Sequence, residues 1–498
     1  MSSNYLLVNK ADNVVVTLKN YEAGETLQFE DRNIPLKVAI PTGHKVAIAT
    51  IEKDQDIRKY GFPIGHATET IEVGDWVHTH NTKTNLSGTL EYTFTPNETS
   101  QSISQAEQRT FKGYVRANGE VGIRNEIWVI NTVGCINKTA ELLAKMADSQ
   151  YRGEGIDGVY HYPHLFGCSQ LGDDLHNTQK ILSNLVHHPN AAGILVLGLG
   201  CENNHIAEFK KVIGDFDENK VRFLSVQEAD DELEEGLELL DEIVSYAKTF
   251  TREEVPVSKL KVGLKCGGSD GFSGITANPL VGSFSDKLIE HGGTSILTEV
   301  PEMFGAETLL MNRAKNEKVF SMIVDLVNDF KEYFIKHEQV VYENPSPGNK
   351  KGGITTLEEK SLGCVQKGGF SPVNDVLPYG GRVTEPGLNL VQGPGNDLVS
   401  VTALAASGAH IVIFTTGRGT PFGGPVPTVK MSTNSKLFEK KKNWIDFNAG
   451  ELIYGKEMDE LTDELFDYII ELASGDVRTN NEKNGFKEIS IFKDGVIL

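Results

Sequence analysis

Cysteine is scarce in this 498-residue chain: there are five, an odd number, without the tight spacing of a disulfide framework. That argues against a stapled secreted module and fits a reducing compartment, where thiols serve packing or metals. Positive charge is also short, 48 Lys and Arg against 69 Asp and Glu for a net charge of −21. Neither nucleic acid nor a membrane surface is therefore expected as a partner, although a local cluster of Lys, Arg and backbone N–H groups can still hold a small carboxylate. No apolar run approaches about 18 residues, and Met1-Ser-Ser-Asn-Tyr has neither a basic region nor an apolar core, so a soluble, cytoplasmic protein is expected. Several catalytic signatures are missing too. Leu197-Gly-Leu-Gly-Cys-Glu-Asn203 places Asn203 where a dinucleotide fingerprint needs its third glycine, and there is no Gly-x-x-x-x-Gly-Lys-Ser/Thr, His-Glu-x-x-His or Gly-x-Ser-x-Gly. Nicotinamide redox chemistry, phosphoryl transfer from a nucleotide and motif-bearing hydrolysis are left without support.

Four of the five cysteines end apolar, strand-like runs: Ile127 to Cys135, Val159 to Cys168, Gly193 to Cys201 and Lys261 to Cys266. Cys135, Cys168 and Cys201 are spaced 33 residues apart, and the 65-residue step to Cys266 leaves room for one more unit, whose strand Val221–Val226 ends without Cys. A strand plus a crossover helix takes about 30 residues, and parallel strands bring their carboxyl ends to one edge, where ligands bind. The spacing therefore predicts these four thiols on one rim of one parallel sheet. Cys364, after a helical acidic stretch, reads as structural.

The chain is long enough for two or three domains, and its composition, 39% hydrophobic and 23% charged, is ordinary for a globular protein. The expected class is α/β: Rossmann-like parallel-sheet regions behind a small all-β domain. Residues 1–97 alternate short β runs with turn clusters and show no convincing helix. Residues 98–112 are polar and read as a linker, 113–252 as a first α/β domain and 253–498 as a second. In the β domain, His44 follows a turn glycine, while His78 and His80, two apart on one strand-like run, are expected on one face. In the α/β part His164 precedes Cys168 by four. Lys265-Cys-Gly-Gly-Ser-Asp270 turns at glycines and crowds Ser269, Asp270 and Asn278 together. Glu299 follows a strand end, Asn349, Lys350 and Lys351 occupy a glycine-flanked loop read as a carboxylate cradle, and Arg418 lies in Gly417-Arg-Gly-Thr-Pro421.

Lys265-Cys-Gly-Gly-Ser-Asp-Gly271, Gly200-Cys-Glu-Asn203, Phe166-Gly-Cys-Ser-Gln170, Thr298-Glu-Val-Pro-Glu302, Pro345-Ser-Pro-Gly-Asn-Lys-Lys351 and Thr416-Gly-Arg-Gly-Thr-Pro421 together resemble the altronate and galactarate dehydratase family. The resemblance runs from Asp12-Asn-Val to Ile491-Phe-Lys, and His78-Thr-His-Asn81, which the galactarate enzymes do not share, puts the chain on the altronate side. One departure is Pro163-His-Leu-Phe-Gly, where a His-Thr-Tyr-Gly run is expected; it retains His164.

The resemblance implies a β-clip (SAF-like) first domain, a Rossmann-like remainder and a need for ferrous iron under reducing conditions, mononuclear or in iron–sulfur form. It also implies loss of water from D-altronate to give 2-dehydro-3-deoxy-D-gluconate. On that reading His44, His80, His164, Lys265, Asp270 and Glu299 are the candidate acid–base groups. Ser269, Asn278, Asn349, Lys350, Lys351 and Arg418 are the substrate contacts. Cys168, Cys201 and Cys266 are expected to bind iron, with Cys135 in reserve, because thiolates favour iron over Mg²⁺ or Ca²⁺. The expected partners are a small sugar acid and a second copy of the chain in a homo-dimer. Dehydration of another aldonate or aldarate, a sulfo-lyase acting on a hydroxy acid, and a non-catalytic sugar-acid binder remain as alternatives.

Overall fold

Residues 4–96 and 108–495 are described in this computed structural model. Up to residue 96 the chain forms only short strands. A four-stranded antiparallel sheet is ordered Tyr5–Leu6, Val14–Thr17, Lys45–Ala47, Trp76–Val77, beside the hairpin Thr26–Phe29/Arg32–Pro35 and a sheet of Asp56–Lys59, Phe62–Ala67 and Thr82–Lys83. The strand expected to carry His78 and His80 stops at Val77, and the two histidines follow in a turn.

Most of the linker expected at 98–112 lies outside the described residues, but Thr110–Lys112 already belong to the strand Thr110–Val115. That strand pairs antiparallel with Arg252–Pro256, so the expected boundaries at 112/113 and 252/253 both fall inside one small sheet.

Two parallel sheets follow, as the α/β reading requires. The smaller is ordered Gly158–His161, Glu126–Asn131, Ala191–Gly198, Val221–Ser225, with helices Asn137–Tyr151, Gly172–Val186, Ile206–Ile213 and Glu232–Ala247 between or after its strands. The larger has seven strands, Val373–Leu377, Gly387–Val391, Thr294–Leu297, Lys261–Cys266, Ile411–Thr416, Thr428–Ser432 and Phe447–Asn448. Near-continuous apolar runs such as Ile411-Val-Ile-Phe are what burial on both faces demands, and every residue of that strand is buried.

The two-sheet arrangement corrects the expectation of a single rim. Cys135, Cys168 and Cys201 follow strands of the smaller sheet, whereas Cys266 ends a strand of the larger one. Each sheet has a switch point where the chain, having built strands to one side, crosses to the other. In the larger sheet it lies between Lys261–Cys266 and Ile411–Thr416, and in the smaller between Glu126–Asn131 and Ala191–Gly198. Crevices outside the carboxyl ends of strands at such points are where α/β sheets bind ligands.

The β region is packed against the larger sheet. Val14, Ile57, Ile64 and Val77 share a continuous hydrophobic core with Leu264 and Leu280. The buried Lys45 and Lys59 ammonium groups reach Glu359 at 2.8 and 2.9 Å. No helix among the described residues is long and apolar enough to cross a membrane.

Candidate active site

The switch-point crevice of the larger sheet is built on Lys261–Cys266. Beyond Cys266 the chain turns at Gly267 and Gly268 (φ +61°), and the Gly268 carbonyl accepts the backbone N–H groups of Gly417 and Arg418 at 3.1 and 3.0 Å. A Cβ at Gly267 would lie 2.6 Å from an Asp397 carboxylate oxygen, so only glycine lets that carboxylate approach. The resulting cleft, about 440 Å³, is lined by Cys266, Glu302, Asn349, Lys350, Lys360 and Asp397, among others.

Its floor is a buried charge network. Lys265 Nζ donates to Glu299 Oε1, to the Cys266 carbonyl at 2.6 Å and to Asp397 at 3.0 Å. Glu299 Oε2 accepts from Lys367 Nζ at 2.8 Å and from the Cys266 N–H at 3.0 Å. Glu299 holds left-handed backbone angles (φ +69°, ψ 52°), a conformation that costs a non-glycine residue about 1–3 kcal/mol and concentrates at functional sites. Glu302 accepts from Lys360 Nζ at 2.7 Å and from the thiols of Cys364 at 3.1 Å and Cys266 at 3.3 Å; the two sulfurs are 3.3 Å apart.

Burial alone would depress the Lys265 ammonium, but Glu299, Asp397 and Glu302 outweigh it and hold it above its ordinary range. Burial would likewise raise Glu302, yet Lys360, Lys265 and Lys367 keep its carboxyl low. The hydrogen bond to Cys266 and then burial push the Cys364 thiol up. Three ammonium groups thus face three carboxylates, so each buried charge has a partner whose removal would be costly.

The candidates named from sequence divide by place. Cys266, Asn349 and Lys350 line the cleft, and Lys265 and Glu299 form its floor. Asn349 and Lys350 belong to a single helical turn, Pro347–Lys351, closed by a capping box between Ser346 and Asn349, where an irregular loop was expected. Asn349 Nδ2 donates to the Ser269 carbonyl at 2.8 Å, which ties this turn to the Cys266 turn. Asp270 accepts from Thr433 at 3.0 Å, Ser273 at 3.2 Å and Asn434 at 3.2 Å, and burial raises its carboxyl despite them. Asn278 is spent between Thr415 at 2.6 Å and the Gly363 carbonyl at 3.1 Å. Both therefore shape the turn from inside. Lys351 and Arg418 are exposed, and neither they nor Lys350 has an ion-pair partner among the described residues.

His44 Nε2 lies 3.3 Å from the Lys351 carbonyl, and Trp76 Nε1 donates to His44 Nδ1 at 3.2 Å. Nδ1 accepts, so Nε2 carries the proton of a neutral ring. Burial first, then Lys45, pushes His44 down to about 4. Burial, Lys45 and His44 do the same to His78, also to about 4, as it stacks on Trp76 at 5.1 Å. His80 is exposed beside the same indole.

These depressed values predict a stability effect. A histidine with ordinary unfolded behaviour and a folded pKa near 4 takes up its proton more readily when unfolded, so its stabilisation is complete above about 6.5 and is lost as pH falls toward 4. Thermal denaturation from pH 7 to pH 5 should show a falling Tm, with the His44→Gln/His78→Gln double variant losing roughly 1–2 kcal/mol less per imidazole over that span. Equal slopes in parent and variant would refute it. The buried His188 and His410 are depressed in the same direction, so the difference between the two proteins, not the parent slope, is the readout.

The smaller sheet's rim carries the other three thiols. Gly134 N–H donates to the Phe166 carbonyl at 2.9 Å, Asn204 N–H to the Gly167 carbonyl at 3.1 Å, and Ser169 N–H to Asn203 Oδ1 at 2.9 Å, which knits together the loops of Cys135, Cys168 and Cys201. A Cβ at Gly167 would lie 2.0 Å from the Thr132 carbonyl, so the contact requires glycine. All three thiols are exposed. His164 is buried here, Nε2 2.7 Å from the Asn131 carbonyl and Nδ1 accepting from Phe166 N–H at 3.2 Å, which makes it a brace for the Cys168 loop. The helix after that loop, Gly172–Val186, sets Asp173 and Asn177 in a cavity with Gln392, Gly393 and Pro394, next to Gly395 of the cleft wall.

Comparison with known proteins agrees with this layout. Three family models match in series: "Altronate/galactarate dehydratase SAF domain" over residues 3–85, "D-galactarate dehydratase/Altronate hydrolase, second domain" over 113–248, and "D-galactarate/Altronate dehydratase, C-terminal" over 257–497. The chain is 55% identical to the altronate dehydratase of Bacillus subtilis (strain 168), over 99% of this chain and 100% of that one. To the altronate dehydratase of Escherichia coli (strain K12) it is 52% identical, again over 99% and 100%. To the galactarate dehydratase (L-threo-forming) of the same strain it is 33% identical over 98% and 96%. The chain belongs to the altronate/galactarate dehydratase family. The family and the fold class are thus as the sequence motifs implied. The cleft groups that sequence reasoning passed over are Glu302, Lys360, Lys367, Asp397 and Cys364. The only prior signal was the Glu-Val-Pro-Glu run for Glu302; Cys364, read as structural, touches Cys266 and Glu302.

Two groups of residues are candidates for the iron that the family resemblance implies. Cys266, Glu302 and Cys364 bring ligand atoms within 4.8 Å of one another. A cation there would face the ammonium groups of Lys265, Lys360 and Lys367 and would have to displace the Cys364 thiol proton that its surroundings retain. The exposed thiols of Cys135, Cys168 and Cys201 stand on the three knitted loops without the buried ammonium groups of the cleft floor, although their sulfurs are not gathered within 4.8 Å of one another, and soft sulfur donors suit iron.

Proposed function

We propose that the protein is a hydro-lyase that converts D-altronate to 2-dehydro-3-deoxy-D-gluconate and water. The observation that carries the reaction class is the cleft: a floor of buried Lys–Glu pairs under a wall that carries Lys350, without an ion-pair partner among the described residues, with the exposed Arg418 beside Gly268, which suits an anion that gains charge at its carboxylate. The choice of altronate rests on the two relatives above 50% identity. In the reaction the C2 proton passes to a protein base, the C3–O bond breaks as the hydroxyl takes up a proton and leaves as water, and the resulting enol tautomerises, its O–H proton lost and C3 protonated, to the 2-keto acid. Lys350, Lys351 and Arg418 anchor the substrate carboxylate. Lys265 and Lys360, held protonated by their carboxylate partners, stabilise the dianionic enolate. Asp397, about one-third exposed in the cleft and 3.0 Å from Lys265, takes the C2 proton. The thiols of Cys135, Cys168 and Cys201 are the set that would hold iron, mononuclear or in iron–sulfur form, which when bound supplies Lewis acidity for the departing hydroxyl. His44 positions the Lys350–Lys351 turn through the Lys351 carbonyl.

The test is turnover under anaerobic conditions with ferrous iron, reading the 2-keto-3-deoxy acid from D-altronate, D-galactarate and D-gluconate, and sulfite from sulfolactate. Preferential turnover of D-altronate is expected; sulfite release without dehydration of any sugar acid overturns the reading. Each anchoring contact is charge-assisted and contributes roughly 1.5–3 kcal/mol. Lys350→Met, Lys351→Met and Arg418→Met are therefore expected to include at least one variant with kcat/KM reduced about tenfold or more, and unchanged kinetics in all three would remove the anchoring role.

A further inference from the structure

At the opposite end of the large sheet, where its strands begin, a cavity of about 190 Å³ lies between Gly119–Val121 and the amino ends of Lys261–Cys266 and Thr294–Leu297. Along the strand it is about 17 Å from the Cys266 turn. Its wall carries Lys259, Lys261 and Arg382, with the hydroxyl-bearing Ser258 and Thr294. A second cavity of about 270 Å³ shares Glu120 and Pro189 with it and holds Lys220.

The charges do not balance. Arg382 Nη2 pairs with Glu120 at 2.6 Å, but its Nη1 is buried without a hydrogen-bond partner. Lys261 Nζ donates to the Val383 carbonyl at 2.9 Å and Lys220 Nζ to the His188 carbonyl at 3.1 Å, and neither has a carboxylate within ion-pair distance among the described residues. Lys259 is exposed at the mouth, likewise unpaired. His410 accepts the Lys261 N–H at its Nδ1, and Arg116 is spent on the Pro189 and Arg124 carbonyls and on Asn125. The acidic groups facing the pair of cavities are Glu120, already paired, Asp217, which accepts from Tyr246, and Asp215. Burial depresses Lys220 to about 7 and lowers Lys261, with Arg382 adding to both, so the protein itself offers these ammonium groups no adequate counter-charge.

A monocarboxylate neutralises one cation; a phosphate group brings two charges and several oxygens, and matches the planar fork of a guanidinium flanked by ammonium and hydroxyl donors. We propose that this cavity is a binding site for a phosphate group, as inorganic phosphate or a small phosphate monoester, separate from the catalytic cleft.

The experiment titrates the full-length protein with sodium phosphate and with glycerol 3-phosphate, against sodium acetate at matched ionic strength, and reads calorimetric binding and the shift in Tm. Saturable binding and stabilisation by phosphate or the ester, absent with acetate, is expected. Tighter binding of glycerol 3-phosphate identifies an ester site, and binding of phosphate alone identifies a free-ion site. Arg382→Met and the solvent-facing Lys259→Glu should each weaken the binding about tenfold or more, while Lys350→Met in the cleft leaves it unchanged. Failure of both ligands to bind saturably, binding undiminished in Lys259→Glu, or binding lost in Lys350→Met overturns the assignment.

Discussion

Serine in place of Cys135, Cys168 or Cys201 is expected to deplete iron from anaerobically expressed protein, while Cys266→Ser and Cys364→Ser retain it. The first three thiols are exposed on loops that hold one another by backbone hydrogen bonds at the switch point of the smaller sheet. Cys266 is buried on another sheet, beneath three ammonium groups. Activity in the three rim variants should fall by a hundredfold or more, since even outer partners of a metal ligand are worth about 10–100-fold. Iron and acid-labile sulfide per protomer, with the visible absorption of the thiolate–iron chromophore, give a readout independent of turnover. Full iron in all three rim variants would end the proposal, and iron lost only in Cys266→Ser would return the site to the cleft. Because serine is nearly isosteric and the rim thiols are solvent-facing, unfolding is not expected to confound the result.

How this set differs from the one read off the sequence shows where such reading stops. The 33-residue spacing correctly announces strand–helix units, and the strands ending near Cys135, Cys168, Cys201 and Cys266 all exist. Spacing carries no information on which sheet a strand joins, and the antiparallel pairing of Thr110–Val115 with Arg252–Pro256 separates the units before Cys266 from those after it. The floor of the cleft was illegible for another reason. Lysine is almost always exposed, and Lys265, Lys360 and Lys367 are buried only because Glu299 and Glu302 lie 34 to 68 residues away in the chain yet within hydrogen-bond reach. Asp397 was hidden by its position in the first turn of Asp397–Ala406, where a carboxylate is ordinary helix chemistry. The turn Pro347–Lys351 reads as a loop because its glycines and prolines dominate the pattern, although Ser346, followed by Pro347 and Asn349, forms the cap of a short helix whose first residue is Pro347.

Asp397→Asn is expected to keep the fold and lose turnover by about 10²–10⁴-fold, the usual range for removing a general base. The amide preserves the shape of a side chain that is one-third exposed, and Lys265 retains Glu299, so the floor stays paired. Lys265→Met acts differently. It leaves Glu299 with Lys367 alone and strips Asp397 of its only ion-pair partner among the described residues, which for a buried pair costs about 3–5 kcal/mol in stability besides the loss of enolate stabilisation. The two variants therefore separate chemistry from scaffolding. Exchange of the C2 deuteron of labelled D-altronate with solvent should vanish in Asp397→Asn at an unchanged Tm, whereas Lys265→Met should lose exchange and Tm together. Parent-like exchange in Asp397→Asn would shift the base to another cleft group, Glu343 being the remaining carboxylate on its wall without an ion-pair partner among the described residues.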